Sequence, residues 1–255
     1  VSALEDRCPH RNAPLSAGRV KNNCVVCPYH GWEFDPNGHC LRIPSSGENN
    51  SNNLNQGVKS FQTTEQFGFV WIWMGKEEPE SQIPFPMYPE TGKGWLHFSV
   101  ETEFQCNVSD LVENFMDVPH TAYIHQGLFR EEKQVLLKAE LERTRDGVAV
   151  RYQQPNDSIS FFSKLLNPSG KPMLHTDEFL RPNIVRVNYT FGKHSFWSVS
   201  SCTPVSHNKT ISHTTISYNF GWLNNIARYL LPWYVKKVLK QDIWIMREQS
   251  ETIEK

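Results

Sequence analysis

Two short runs, Cys8-Pro-His10 and Cys27-Pro-Tyr-His30, constrain this chain more than any other feature. Each sets one thiol and one imidazole close together, and sixteen residues separate the two runs. The mixture of ligand types has a chemical reason. In a [2Fe–2S] centre whose one iron takes two thiolates and whose other takes two imidazoles, each loop must give one ligand to each iron, so each loop carries one Cys and one His. The neutral imidazoles raise the potential above that of an all-thiolate cluster. A tetrahedral zinc centre also accepts two Cys and two His, but zinc fingers usually pair Cys with Cys and His with His, whereas both runs here are mixed. Six cysteines could form three disulfides. A chain of this size that sets thiols among histidines argues against that framework, and Cys24 and Cys40 read as packed thiols.

Around these runs the text alternates between short strand-like segments (24–27, 32–34, 41–43, 67–73) and turn signals such as Asp35-Pro-Asn-Gly38, which predicts a small antiparallel β domain. The polar tract 45–57 reads as a surface loop, and the Pro- and Glu-rich stretch 75–94 as an interdomain connection. Beyond it, 108–124 reads as a helix. The alternating segments 134–152, 184–191, 195–204 and 210–220 suit a twisted antiparallel sheet, and 223–254 reads as a last helix kinked near Pro232. The expected fold class is α+β: a small antiparallel β domain over 1–85, then an α+β domain over 86–255 with a twisted antiparallel sheet and helices. The chain reaches its first motif after seven residues and without an initiator Met, so a longer protein with an N-terminally incomplete first domain is expected.

The flanks of the first constellation, Cys8-Pro-His-Arg-Asn-Ala-Pro-Leu15 and Cys27-Pro-Tyr-His-Gly-Trp32, resemble the cluster-binding loops of Rieske oxygenases and Rieske ferredoxins. Respiratory Rieske proteins carry an additional Cys in each loop, where this chain has Ala13 and Tyr29. A second constellation follows in Leu111-Val-Glu-Asn-Phe-Met-Asp-Val-Pro-His-Thr-Ala-Tyr-Ile-His125. Five residues on a straight helix separate two side chains by about 140°, so His120 and His125 converge on one ion only if the helix is interrupted, and Pro119 suggests an interruption. The run resembles the motif of Rieske oxygenase α subunits in which Asp, three residues before the first His, precedes two iron-ligating histidines. That resemblance implies His120 and His125 as ligands of Fe(II). It implies Asp117 as the acidic residue linking this iron to the cluster of a neighbouring subunit, and gives Glu113 no ligand role.

A facial triad needs one carboxylate to balance the metal charge while leaving positions open. The late segment Lys240-Gln-Asp-Ile-Trp-Ile-Met-Arg-Glu-Gln249 resembles the family's Asp-led context for the third ligand, which implies Asp242. Helical spacing sets Ile245, Met246 and Gln249 on its stripe; Glu248, Glu251 and Asp177 are weaker candidates. The resemblance thus implies a [2Fe–2S] cluster on Cys8, His10, Cys27 and His30, a mononuclear Fe(II), and O2 as co-substrate. It further implies a ferredoxin or flavin reductase as electron donor and a head-to-tail homotrimer.

The 116 residues between His125 and Asp242 look shorter than in ring-dihydroxylating α subunits and nearer to compact monooxygenases and O-demethylases. A monooxygenase hydroxylating or demethylating a small aromatic or cyclic substrate is therefore expected ahead of a dioxygenase. Phe162, Phe191, Phe196 and Trp197 are aromatic candidates for a pocket or for plain core. The competing reading is a Rieske electron-transfer protein whose second domain only docks partners. A net charge of -1 gives no reason to expect nucleic acid. No apolar run approaches the ~20 residues of a membrane span, so no membrane is expected and the cytoplasm is the expected location.

Overall fold

The computed structural model describes residues 1–46, 56–79, 92, 94–125, 138–153 and 174–253. Most of the polar tract and of the 75–94 connection, residues 134–137 and Phe162 lie outside these, as does the side chain of Phe191. The chain divides into two compact units, Val1–Ile83 and Pro84–Lys255.

The first unit is built from short strands. β2 (Arg19–Lys21), β3 (Cys24–Val26), β4 (Glu33–Phe34) and β5 (Cys40–Arg42) pair in that order as an antiparallel sheet. β1 (Ala3–Leu4) pairs with β6 (Ser60–Phe61), and β7 (Thr63–Gln66) with β8 (Phe69–Ile72). The expected Asp35 turn forms: its carboxylate accepts from the amides of Asn37 at 2.9 Å and His39 at 2.8 Å, which fixes the β4–β5 connection. A small core of Leu15, Trp32, Phe34 and Val58 closes around Cys8, Cys27 and Cys40.

The second unit carries a seven-stranded antiparallel sheet in the order β10-β11-β12-β13-β14-β15-β9. Its strands are β9 (Leu96–Phe104), β10 (Lys138–Arg143), β11 (Gly147–Gln153), β12 (Leu174–Leu180), β13 (Ile184–Phe191), β14 (His194–Ser206) and β15 (Lys209–Asn219). The segment 134–152, read as one alternating run, holds two strands joined by a turn. β9 and β12 add strands that the sequence reading left unassigned.

Among the described residues two α-helices complete the unit: α1 (Val108–Met116), capped by the Asn107 side chain, and α2 (Asn224–Ile253). α2 runs through Pro232 as one helix and buries Ala227, Leu231, Val235, Leu239, Asp242 and Met246, a stripe at helical spacing. Gln249, expected on that stripe, is exposed. Among the described residues no helix is long and apolar enough to cross a membrane.

The core lies between the sheet and these helices, with Phe104, Leu111, Ile216 and Tyr218 among its buried members. Phe104 is fully buried and meets Phe115 of α1 edge-to-face at 5.8 Å between ring centroids. Phe104→Ala is expected to cost about 3–5 kcal/mol, read as a lowered urea midpoint for the second unit.

Candidate metal centres and substrate cavity

The two Cys/His runs fold into loops of the same backbone pattern. In the first, Cys8 N–H donates to Ala13 O at 2.9 Å and Asn12 N–H to Cys8 O at 2.9 Å. In the second, Cys27 N–H donates to Trp32 O at 2.8 Å and Gly31 N–H to Cys27 O at 3.1 Å. Each closes through a residue in the left-handed region, Asn12 at φ 56° and Gly31 at φ 71°, as the tight reversal requires. Cys8 and Cys27 are buried at 1% and 2% exposure, whereas His10 and His30 lie exposed with their rings 4.6 Å apart. His10 also stacks on Trp32 at 4.8 Å, and Tyr29 packs on His30 at 4.0 Å.

The loops therefore sort their donors into a thiol pair inside and an imidazole pair at the surface. Burial, reinforced by the neighbouring Cys27, raises the pKa of the Cys8 thiol. Partial desolvation, His30 and Arg11 lower that of His10, which favours the neutral imidazole a metal needs. All six cysteines are free thiols; Cys40 is buried and Cys24 half-buried.

In the second unit the helical reading of 108–124 is corrected: α1 stops at Met116, Asp117 leaves helical geometry with ψ 96°, and Pro119–Ala122 form a 3-10 turn. This break reorients His120 relative to His125, removing the angular obstacle of a straight helix. His120 Nε2 lies 3.3 Å from His125 Nε2 and 3.7 Å from Asp242 Oδ1, and His125 Nε2 lies 3.1 Å from the same oxygen. Three donors around one ion at ~2.1 Å, spaced by 90–109°, sit roughly 3.0–3.4 Å apart; two edges of the triangle lie in that range and the third, His120 to Asp242 at 3.7 Å, is slightly longer. The donor set, two imidazoles and one carboxylate, is the one that suits non-haem Fe(II) with open positions.

Two residues missed in the sequence complete this centre. Gln241 Oε1 lies 2.9 Å from His125 Nδ1, and Asn114 Nδ2 donates to Asp242 Oδ1 at 3.3 Å. The carbonyl of Gln241 accepts from Nδ1–H and so leaves the Nε2 lone pair turned toward His120 and Asp242. Asn114 carried one usable signal, being a polar residue three positions before Asp117 on a largely apolar helix. Gln241 carried none.

His120 Nδ1 is buried without a hydrogen-bond partner and faces Asp117 Oδ2 at 3.8 Å. Burial lowers the His120 pKa against the pull of Asp242. Burial acts the same way on His125, but the hydrogen bond and charge of Asp242 outweigh it and raise that pKa. Asp117 has a half-exposed side chain. Glu113, Glu248 and Glu251 are exposed and stand outside the triangle.

A cavity of about 130 Å³ opens between the sheet and the helices, and His120, His125 and Asp242 form part of its lining. Valines 185, 187, 235 and 238, with Phe115, Tyr189, Phe196 and Leu239, make most of the remaining wall apolar. Trp197 points to the other face of the sheet, against Trp95 and Arg186. Asp177 also lines the cavity, where it is paired with His175 at 2.6 Å.

Comparison with known proteins finds two families, each matching its own stretch of the chain. The Rieske [2Fe–2S] domain family matches residues 1–62, and the vanillate O-demethylase oxygenase C-terminal domain family matches residues 104–255. The 4beta-methylsterol monooxygenase of Methylococcus capsulatus is 27% identical over 100% of this chain and 72% of its own length. Chlorophyllide a oxygenase of Oryza sativa is 27% identical over 96% of this chain, which spans only 43% of that relative. A crystal structure of dicamba monooxygenase bound to dicamba superposes with a TM-score of 0.82 at 22% identity, covering 98% of this chain and 76% of that one. With a Rieske domain followed by a vanillate O-demethylase-type C-terminal domain, the chain belongs to the Rieske oxygenases.

Proposed function

We propose that the chain is the oxygenase component of a monooxygenase system that hydroxylates, or oxidatively demethylates, a small ring compound. The observation that carries this reading is the convergence of His120 Nε2, His125 Nε2 and Asp242 Oδ1 at the wall of a largely apolar cavity. Fe(II) held by these three residues would supply the site at which O2 is reduced and one oxygen atom passes to the substrate. Cys8, His10, Cys27 and His30 would hold the cluster that delivers electrons, received from a ferredoxin or flavin reductase.

For hydroxylation, the substrate C–H, O2, two electrons and two protons give the C–OH product and water. An O-methyl or N-methyl substrate hydroxylated at its methyl group then sheds it as formaldehyde. The residues around the site divide the remaining work. Gln241 and Asn114 hold His125 and Asp242 in ligand geometry, and the valine- and aromatic-rich wall keeps water from the reacting carbon. Asp117 sits between His120 and solvent, which suits a head-to-tail trimer that brings His30 of one subunit beside Asp117 and His120 of the next.

The test is His120→Ala in the reconstituted protein. Iron is expected to fall from about three per chain to about two, with the visible spectrum of the cluster kept and reductase-dependent gain of one oxygen, or loss of CH2, abolished by product mass. A variant that keeps all its iron overturns the second centre and leaves an electron carrier with a docking domain.

A further inference from the structure

A helix that is apolar on two opposite sides has two faces to cover, and an exposed one marks a contact surface. α2 buries one side, with Ala227, Leu231, Val235 and Leu239 in the core. On the other side stand Trp222, in the turn just before the helix, and Ile226, Tyr229, Leu230 and Trp233. They recur at helical spacing, and each is between 51% and 76% exposed. The stripe then turns cationic: Lys236, Lys237 and Lys240 are exposed within the next two turns. Cations and rings also meet along it. Lys237 Nζ lies 5.6 Å from the centre of the Trp233 ring, and the Arg228 guanidinium 4.7 Å from that of Tyr229.

The charge around this stripe is one-sided. Between Glu178 and Asp242 the sequence holds eight Lys or Arg and no Asp or Glu, in a chain whose net charge is -1. Asp242 itself is buried, and the next acidic residue along the helix, Glu248, pairs with Arg247 at 2.9 Å.

We infer that the outer face of α2, with the turn before it, is a peripheral docking surface for an anionic lipid bilayer. Tyr and Trp rings settle at the boundary between acyl chains and headgroups, while lysine and arginine stems run along apolar surface and hold their charges among the phosphates. The stripe supplies both layers. An acidic protein would answer the cations but leave two indoles and a phenol ring to be matched separately; an anionic bilayer takes up both. The helix lies on the membrane and does not cross it, for which it is not apolar enough. Val235, Val238 and Leu239 of the same helix line the cavity, so a lipid-seated α2 sets the cavity wall one helix diameter, ~10 Å, from the bilayer. On the oxygenase reading this suits an apolar substrate drawn from lipid; the docking itself does not depend on that reading.

The experiment is co-sedimentation of the cluster- and iron-loaded protein with sucrose-filled vesicles, of phosphatidylcholine alone or with about one-third phosphatidylserine, at about 0.1 M and about 0.5 M salt. The mixed vesicles are expected to bind the protein at the lower salt and to release much of it at the higher, with pure phosphatidylcholine at least about tenfold weaker. A lysine near an anionic surface contributes roughly a fivefold factor. Replacing all three (Lys236→Gln, Lys237→Gln, Lys240→Gln) should therefore weaken binding roughly 10–100-fold. Trp222→Ser with Trp233→Ser should abolish it while keeping the cluster's visible spectrum and the melting temperature, because both rings are exposed.

Sedimentation equilibrium without lipid separates a bilayer from a second copy of the chain: the double Trp variant is expected to keep the assembly state of the unaltered protein. The inference is overturned if the mixed vesicles are not bound, if pure phosphatidylcholine binds equally well, or if the folded Trp variant binds undiminished. It is also overturned if that variant loses its assembly state, which would make the stripe a contact between copies. None of these outcomes bears on the iron count of His120→Ala.

Discussion

Asp242→Ala is expected to strip the second centre of iron and reduce substrate oxygenation to background, a larger effect than the ~10–100-fold loss that follows removal of an outer-shell partner. Asp242 is 3% exposed in the apolar stripe of α2, flanked along the helix by Leu239 and Met246. Its Oδ1 is the one anionic donor of the triangle with His120 and His125. Without it two neutral imidazoles remain, too little charge to hold a divalent ion against water. Asp242→Asn separates charge from shape, since it keeps the side-chain volume and a partner for Asn114. It is expected to melt within a few degrees of the unaltered protein and still lose the mononuclear iron. Metal analysis and the cluster's visible spectrum, taken on the same samples, distinguish this from collapse of the chain. Full iron content in both variants would show that Asp242 is a packed carboxylate and no ligand.

Gln241 and Asn114 show why this centre is only partly legible in the sequence. The cluster loops are local: each thiol lies two or three residues from its imidazole, and the chemistry of mixed ligation follows from the text alone. The second centre is assembled from α1, the 3-10 turn and α2, with 116 residues between His125 and Asp242. Spacing therefore says little about it. His120 and His125 look incompatible on a straight helix, and it is the break after Met116 that reconciles them. Family likeness brought Asp242 to notice, and the buried register of Leu231, Val235, Leu239 and Met246 supplies the physical reason that it faces inward.

β12 escaped notice for a related reason. Its inward residues are His175, Asp177 and Phe179, so the apolar alternation that marks a half-buried strand is missing from Leu174–Leu180. β13, with Val185, Val187 and Tyr189 facing the same cavity, was read within its observed bounds. The strand that departs from the hydrophobic pattern is the one that carries the buried His175–Asp177 pair. Local rules are expected to fail where function competes with packing.

Cys27→Ser should have the second large effect, confined to the first unit. Three of its described strands, β1, β4 and β6, are only two residues long, and β4 (Glu33–Phe34) makes just two cross-strand pairings to β3. Strands this short contribute little cooperative stability, and a unit below about 90 residues buries a smaller fraction of its surface than a large domain does. Its core is arranged around Cys8 and Cys27 themselves, at 1% and 2% exposure beside Trp32 and Phe34.

Where ligands form the core, cluster binding is folding free energy, on the scale of the ~10 kcal/mol or more found for structural metal sites. Cys27→Ser is therefore expected to lose the visible absorption of the cluster and to raise amide exchange throughout 1–46, while β13–β15 keep their protection. Cys40→Ala is the control. Cys40 is nearly as buried as Cys8 and Cys27, but its sulfur is directed to the carbonyl of Arg42 at 3.8 Å. It should retain the cluster spectrum and cost only local packing. Bleaching by Cys40→Ala, or an intact spectrum in Cys27→Ser, would reassign the thiol ligands.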